Sequence, residues 1–177
     1  LGYLRFSEEK VENLLSDLRS KHSEKPIVGI SWKTEAAVTG GHRSLELAAL
    51  LKAIPMDYTI LNLQYGDCRD EIEQAETKLN RKIHQIDTID NRNDIDALCA
   101  LISGCNQVVT VDNSTVHFAG ALGVQCQLLL PKASDYRWGA LEADRCYWYE
   151  SVKLLRQKTH GNWDEPIKRL AKNIQRH

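Results

Sequence analysis

An α/β domain built on a doubly wound, mostly parallel sheet of about six strands is the fold this sequence predicts. Three observations carry that prediction. Short apolar runs alternate with helical stripes from Ile27 to Leu130. The apolar runs show no in-and-out alternation, as strands covered on both faces require. Glycine, proline or a side-chain-capping residue punctuates nearly every junction.

In chain order, residues 7–21 read as a helix, with Val11, Leu14, Leu15 and Leu18 on one face. Ser7 is a cap, and Glu8 and Glu9 suit the positive helix end. This leading helix, within residues 1–24, is expected to pack on the sheet edge or against a further domain. Ile27–Ile30 is the first strand, followed by a polar loop containing Gly40 and Gly41. Leu47, Leu50, Leu51 and Ile54 form a helical stripe ended by Pro55. Tyr58–Leu63 is the second strand, 68–80 a polar helix and Ile83–Ile86 the third strand. Ile95, Leu98, Cys99 and Ile102 mark a helix capped by Asp94 and stopped by Gly104. Val108–Val111, a helix over 114–122 closed by Gly123, and Cys126–Leu130 complete the rhythm. Residues 132–162 are irregular and aromatic-rich, with a sixth strand at Val152–Leu155; the last helix, within 163–177, starts near Asp164.

Composition narrows the function classes. With 177 residues the chain is predicted to form one domain, 1–177. A net charge of −1 without basic blocks argues against nucleic acid as a partner. No apolar run approaches the roughly 18 residues of a transmembrane helix. The five cysteines are odd in number and lack CxxC spacing, so reduced, buried thiols and a cytoplasmic location are expected. The first residue is Leu1 rather than methionine, so the sequence is read as part of a longer protein.

Candidate binding residues gather where strands end. At the fourth strand, Asp112, Asn113, Ser114, Thr115 and His117 surround a predicted helix N-terminus. Unsatisfied first-turn amides and the positive helix end make such a junction an anion site. Simple helix capping by Asp112 or Asn113 is the alternative reading, and His117 is open to a purely structural role. After the first strand, Lys33 and Arg43 could bring positive charge to phosphates, or lie in a solvated loop. Gln64, Tyr65 and Gly66 follow the second strand, at a position suited to a ribose or base, or to a plain turn. No metal-ligand spacing is present, so no metal or other cofactor is expected.

Seven segments in order, VGISWKT, RSLEL, LNLQYG, VVTVDNSTVHFAGALGV, DYRWG, WYESVKLLRQ and GNWDEPIKRL, resemble the C-terminal domain of heptosyltransferase-like (family 9) glycosyltransferases. The resemblance is greatest to bacterial proteins that carry tetratricopeptide repeats ahead of that domain, and it extends over residues 3–176. It implies a GT-B enzyme, in which two Rossmann-like domains enclose the active site and this chain is the second, without its N-terminal partner domain. The family's D-[ST]-x-x-x-H turn matches Asp112 to His117, with Asn113 in place of the usual Ser or Thr. In the family this turn holds the donor's diphosphate. The resemblance thus implies donor contacts from Lys33, Arg43, Gln64, Asn113, Ser114, Thr115 and His117, with Asp112 holding the turn. Thr34-Glu35-Ala36 departs from the family's Gly-Asn-Pro-like turn. Asp135, Arg137 and Trp138 match a structural motif. The implied function is transfer of a sugar from a nucleotide-diphosphate donor with inversion, its catalytic base in the other domain. The rivals are a degenerate nucleotide- or partner-binding module and an epimerase-like Rossmann domain.

Overall fold

The computed structural model describes residues 2–22, 25–35 and 40–174. Its elements are α1 (Glu8–Lys21), β1 (Ile27–Ser31), α2 (Gly40–Arg43), α3 (Leu47–Ala53), β2 (Thr59–Asn62), α4 (Arg69–Leu79) and β3 (Ile83–His84). There follow α5 (Ile95–Ser103), β4 (Gln107–Val111), α6 (Ser114–Leu122), β5 (Cys126–Leu130), a 3-10 turn (Tyr136–Trp138), β6 (Val152–Arg156) and α7 (Asp164–Ile174). The six strands form one sheet in the order β3-β2-β1-β4-β5-β6, and every pairing within it is parallel. The doubly wound sheet is therefore as the sequence predicts.

Each face of the sheet carries its own core. One joins α1, α5 and α6 around Leu101, Val108, Val116 and Trp138. The other joins α3, α4 and α7 around Leu50, Ile72 and Leu170. All five residues of each of β1, β4 and β5 are buried, which is why those runs show no alternation. The five cysteines are buried free thiols. Among the described residues no helix is long and apolar enough to cross a membrane.

Three local expectations change. The leading helix does not sit at the sheet edge. Val11, Leu15 and Leu18 are buried, and α1 packs against α5. At roughly 1.5–3 kcal/mol per buried apolar side chain, α1 is a constituent of this core. Gly104 makes that possible: a Cβ there would lie 2.1 Å from the Leu15 side chain. The residue read as a helix stop thus serves close approach as well. The third strand shortens to Ile83–His84, and the next residue, Gln85, accepts a side-chain hydrogen bond from Asn62 (3.3 Å). The polar loop after β1 contains the helical turn α2, which delivers Arg43 to the end of β4.

Candidate functional site

The strand order reverses direction between β1 and β4. In an open α/β sheet the crevice beyond the strand C-termini at this switch point is where ligands bind. Its walls include residues 32–35 after β1 and the β4–α6 turn. The N-terminus of α6 opens onto it, and the first-turn amides of Ser114 and Val116 have no acceptor within the helix.

Asn113 organises the turn. Its Oδ1 accepts from the Thr115 amide (3.0 Å) and from Thr110 Oγ1 (3.1 Å). Its Nδ2 donates to Ser31 Oγ (2.8 Å) and to the Lys33 carbonyl (3.1 Å). One amide therefore caps α6 and stitches β4 to the loop after β1. A Ser or Thr hydroxyl could cap but could not reach both sides. Gln64 plays the corresponding part between β1 and β2. Its Oε1 accepts from Ser31 Oγ (3.1 Å), the Trp32 amide (2.9 Å) and the Lys33 amide (3.0 Å), and it is fully buried.

The charged residues are already paired. Arg43 donates to Asp112 Oδ2 at 3.0 Å, and Asp112 is 4% exposed. The pair braces the turn and leaves the guanidinium at the crevice wall. Lys33 is drawn towards α4, where it pairs with the Glu71 carboxylate and donates to the Asp67 carbonyl (3.2 Å). Glu71 also accepts from the indole of buried Trp32 (2.6 Å). Ser114 is exposed, whereas Thr115 is fully buried, and its hydroxyl has no hydrogen-bond partner. In the departing segment, Glu35 pairs with Arg92 at 2.6 Å; Ala36 lies outside the described residues.

His117 stands on an aromatic shelf. Its ring stacks on Trp138 (5.3 Å between centroids), and its Nδ1 lies 3.1 Å from the Tyr149 hydroxyl. The Tyr149 ring in turn lies flat on α6, where a Cβ at Gly120 would fall 2.3 Å from it. The Asp135–Arg137 pair (2.9 Å) and a hydrogen bond from Arg156 to the Trp138 carbonyl (2.9 Å) hold the shelf's support. Tyr149 and Glu71 were not among the expected site residues. The aromatic richness of residues 132–162 was the only signal for Tyr149, and Glu71 left none.

Burial, and then the Arg137 charge, lower the pKa of His117 below its ordinary 6.5. The imidazole is therefore neutral in the folded protein where the unfolded chain would begin to protonate. Its contribution to stability is present above pH 6.5 and is lost as pH falls through the depressed value. His84 is lowered in the same sense, by burial and by neighbouring His22. Urea unfolding at pH 7.5 and pH 5 is expected to show a smaller acid loss in His117→Gln than in the parent. Equal losses would mean that His117 contributes nothing to the acid sensitivity.

A second hollow, of about 380 Å³, lies beyond the ends of β2 and β3, lined by Gln64, Tyr65, Gly66, Arg69, Gln85 and Asn91 among others. Among the described residues no group of three or more metal-ligating side chains is gathered together.

No family model matches the chain. It is 31% identical over 150 residues to Protein FlbA of Caulobacter vibrioides, a match covering 82% of this chain and 24% of that protein. Among solved structures, it superposes on the ADP-heptose LPS heptosyltransferase II of E. coli with a TM-score of 0.70 at 18% identity. That match covers 96% of this chain and 52% of the other. A family 9 glycosyl transferase from Veillonella parvula gives a TM-score of 0.63 at 12% identity, covering 98% and 51% respectively. The chain thus spans about a quarter of the curated relative and about half of each solved structure. It has the fold of one half of a family 9 glycosyltransferase.

Proposed function

We propose that this chain is the donor-binding domain of a glycosyltransferase, taking a nucleotide-diphosphate-sugar into the switch-point crevice. The observation that carries the reading is the open N-terminus of α6 at that crevice, with Arg43 beside it and His117 in its first turn. The diphosphate would meet the first-turn amides and the exposed Ser114 hydroxyl, with Arg43 beside it. The nucleoside would extend toward the hollow beyond β2 and β3. Gln64 and Asn113 would shape the site from within rather than face the donor, since their polar atoms are engaged with the chain.

The chemistry required of this half is stabilisation of a leaving diphosphate. Amide dipoles and cationic side chains fixed before reaction supply it at no cost in reorganisation. In this reading no metal takes part, transfer proceeds with inversion, and the catalytic base and acceptor site belong to an N-terminal domain of the same full-length protein. Tetratricopeptide repeats would precede that domain. The buried thiols suit a cytoplasmic setting. A second reading, a binding module without turnover, is favoured by one observation: Lys33 is held on Glu71 rather than presented to the crevice.

Calorimetric titration with a panel of nucleoside diphosphates tests the proposal. One nucleotide is expected to bind, and Ser114→Ala combined with His117→Ala is expected to weaken it at least tenfold, about 1.4 kcal/mol. Circular dichroism checks that the double variant is folded. Equal affinity in the folded variant would place the ligand elsewhere, and no binding by any nucleotide would overturn the donor reading. Turnover by the full-length protein then separates an enzyme from a silent module.

A further inference from the structure

A further cavity, distinct from the hollow beyond β2 and β3, lies at the opposite end of α6 from the crevice, beside the N-terminal ends of β5 and β6. Its volume is about 350 Å³, and Tyr3, Trp148 and Tyr149 supply its aromatic walls. Gln125, Glu150 and Ser151 supply the polar ones. The rings are held in place. The amides of Tyr3 and Leu4 donate to the Ala121 carbonyl (2.8 and 2.9 Å), which fixes the leading segment on α6. The Trp148 indole donates to the Arg137 carbonyl (3.1 Å), yet the residue remains 67% exposed. Tyr3 is 68% exposed and stacks on Tyr149 with ring centroids 6.4 Å apart.

The described residues lining this cavity carry one formal charge, the Glu150 carboxylate, while Arg137 acts on Tyr149 from outside the lining. Aromatic faces are negative. Glu150 is an exposed carboxylate at the rim. The C-terminal end of α6, closing at Gly123, contributes the negative pole of the helix dipole. Among the described residues lining the cavity none is basic. Aromatic faces beside a carboxylate attract a flat cation and repel an anion.

We infer that this cavity binds a guanidinium group, stacked on Trp148 or Tyr3 and paired with Glu150. The site is separate from the donor crevice and does not depend on how that crevice functions.

The test follows the Trp148 indole N–H in two-dimensional NMR of the 177-residue chain, the signal being assigned with Trp148→Phe. Methylguanidinium is expected to shift it saturably, and methylurea, of the same shape without the charge, at least tenfold more weakly. Glu150→Gln is expected to weaken methylguanidinium at least fivefold, with circular dichroism confirming the fold. A blocked Gly-Arg-Gly peptide is the second probe. Tighter binding of the peptide than of methylguanidinium would identify an arginine side chain of a polypeptide; the reverse order would identify a free small cation. Equal binding of methylurea, no saturable shift with either guanidinium probe, an unchanged affinity in Glu150→Gln, or a saccharide displacing the cation would each overturn the inference.

Discussion

Asn113→Ala is expected to cost about 3 kcal/mol of folding stability and to disorder the crevice. Loss of a helix cap contributes about 1 kcal/mol. The variant also strands groups that Asn113 satisfies. The Lys33 carbonyl and Ser31 Oγ lose their Nδ2 donor, whereas Thr110 Oγ1 keeps the Val111 carbonyl as acceptor. Each buried polar group left without a partner costs about 1–3 kcal/mol, and partial relaxation keeps the total near the lower end. Asn113→Asp separates the two functions of the side chain. The carboxylate keeps the cap and suits the positive helix end. It cannot donate to Ser31 Oγ or to the Lys33 carbonyl, and it places negative charge against that carbonyl. Urea unfolding should therefore rank the parent above Asn113→Asp and both above or level with Asn113→Ala. Hydrogen exchange should find α6 intact in Asn113→Asp while the segment after β1 opens. A cost under about 1 kcal/mol for Asn113→Ala would show that capping alone is at stake.

Trp138→Ala is expected to be the more damaging change, at about 3–5 kcal/mol, the range for emptying a large aromatic site in a core. Trp138 is fully buried and closes the face of the sheet that α1, α5 and α6 cover. The substitution has a second, local consequence. His117 loses the surface it stacks on and gains water, so its lowered pKa should return toward the ordinary 6.5. Urea unfolding reads the first effect and NMR titration of the His117 ring reads the second. If the His117 pKa does not move in a folded Trp138→Ala protein, its burial originates in Tyr149 and α6 instead. Trp138→Phe, which keeps an aromatic shelf, should give the smaller shift in both measurements.

The residues that the chain order places next to strand ends were legible because a parallel sheet puts all strand C-termini on one side. Once β1, β2 and β4 were recognised as parallel strands, Lys33, Gln64 and the Asp112–His117 turn had to lie along one edge. Which way their side chains point was not legible. Thr115 and Gln64 read as polar groups near a ligand, yet the first is fully buried and the second is spent on Ser31, Trp32 and Lys33. Polar residues at strand ends satisfy backbone groups as readily as ligands, and the sequence does not distinguish the two.

By itself the sequence determined the order and type of the elements other than α2 and the 3-10 turn, because apolar period, caps and helix stops are local properties. Ser7, Asp94 and Gly123 each act at the helix end where their chemistry places them. Only the tertiary structure decided what happens between segments far apart in the chain. It seated α1 on α5 through Gly104, drew Lys33 to Glu71 across 38 positions, and laid Tyr149 from Gly120 to His117. Those outcomes depend on which partner reaches a group first in three dimensions. A charge or an aromatic ring carries no record of that choice in its neighbours along the chain.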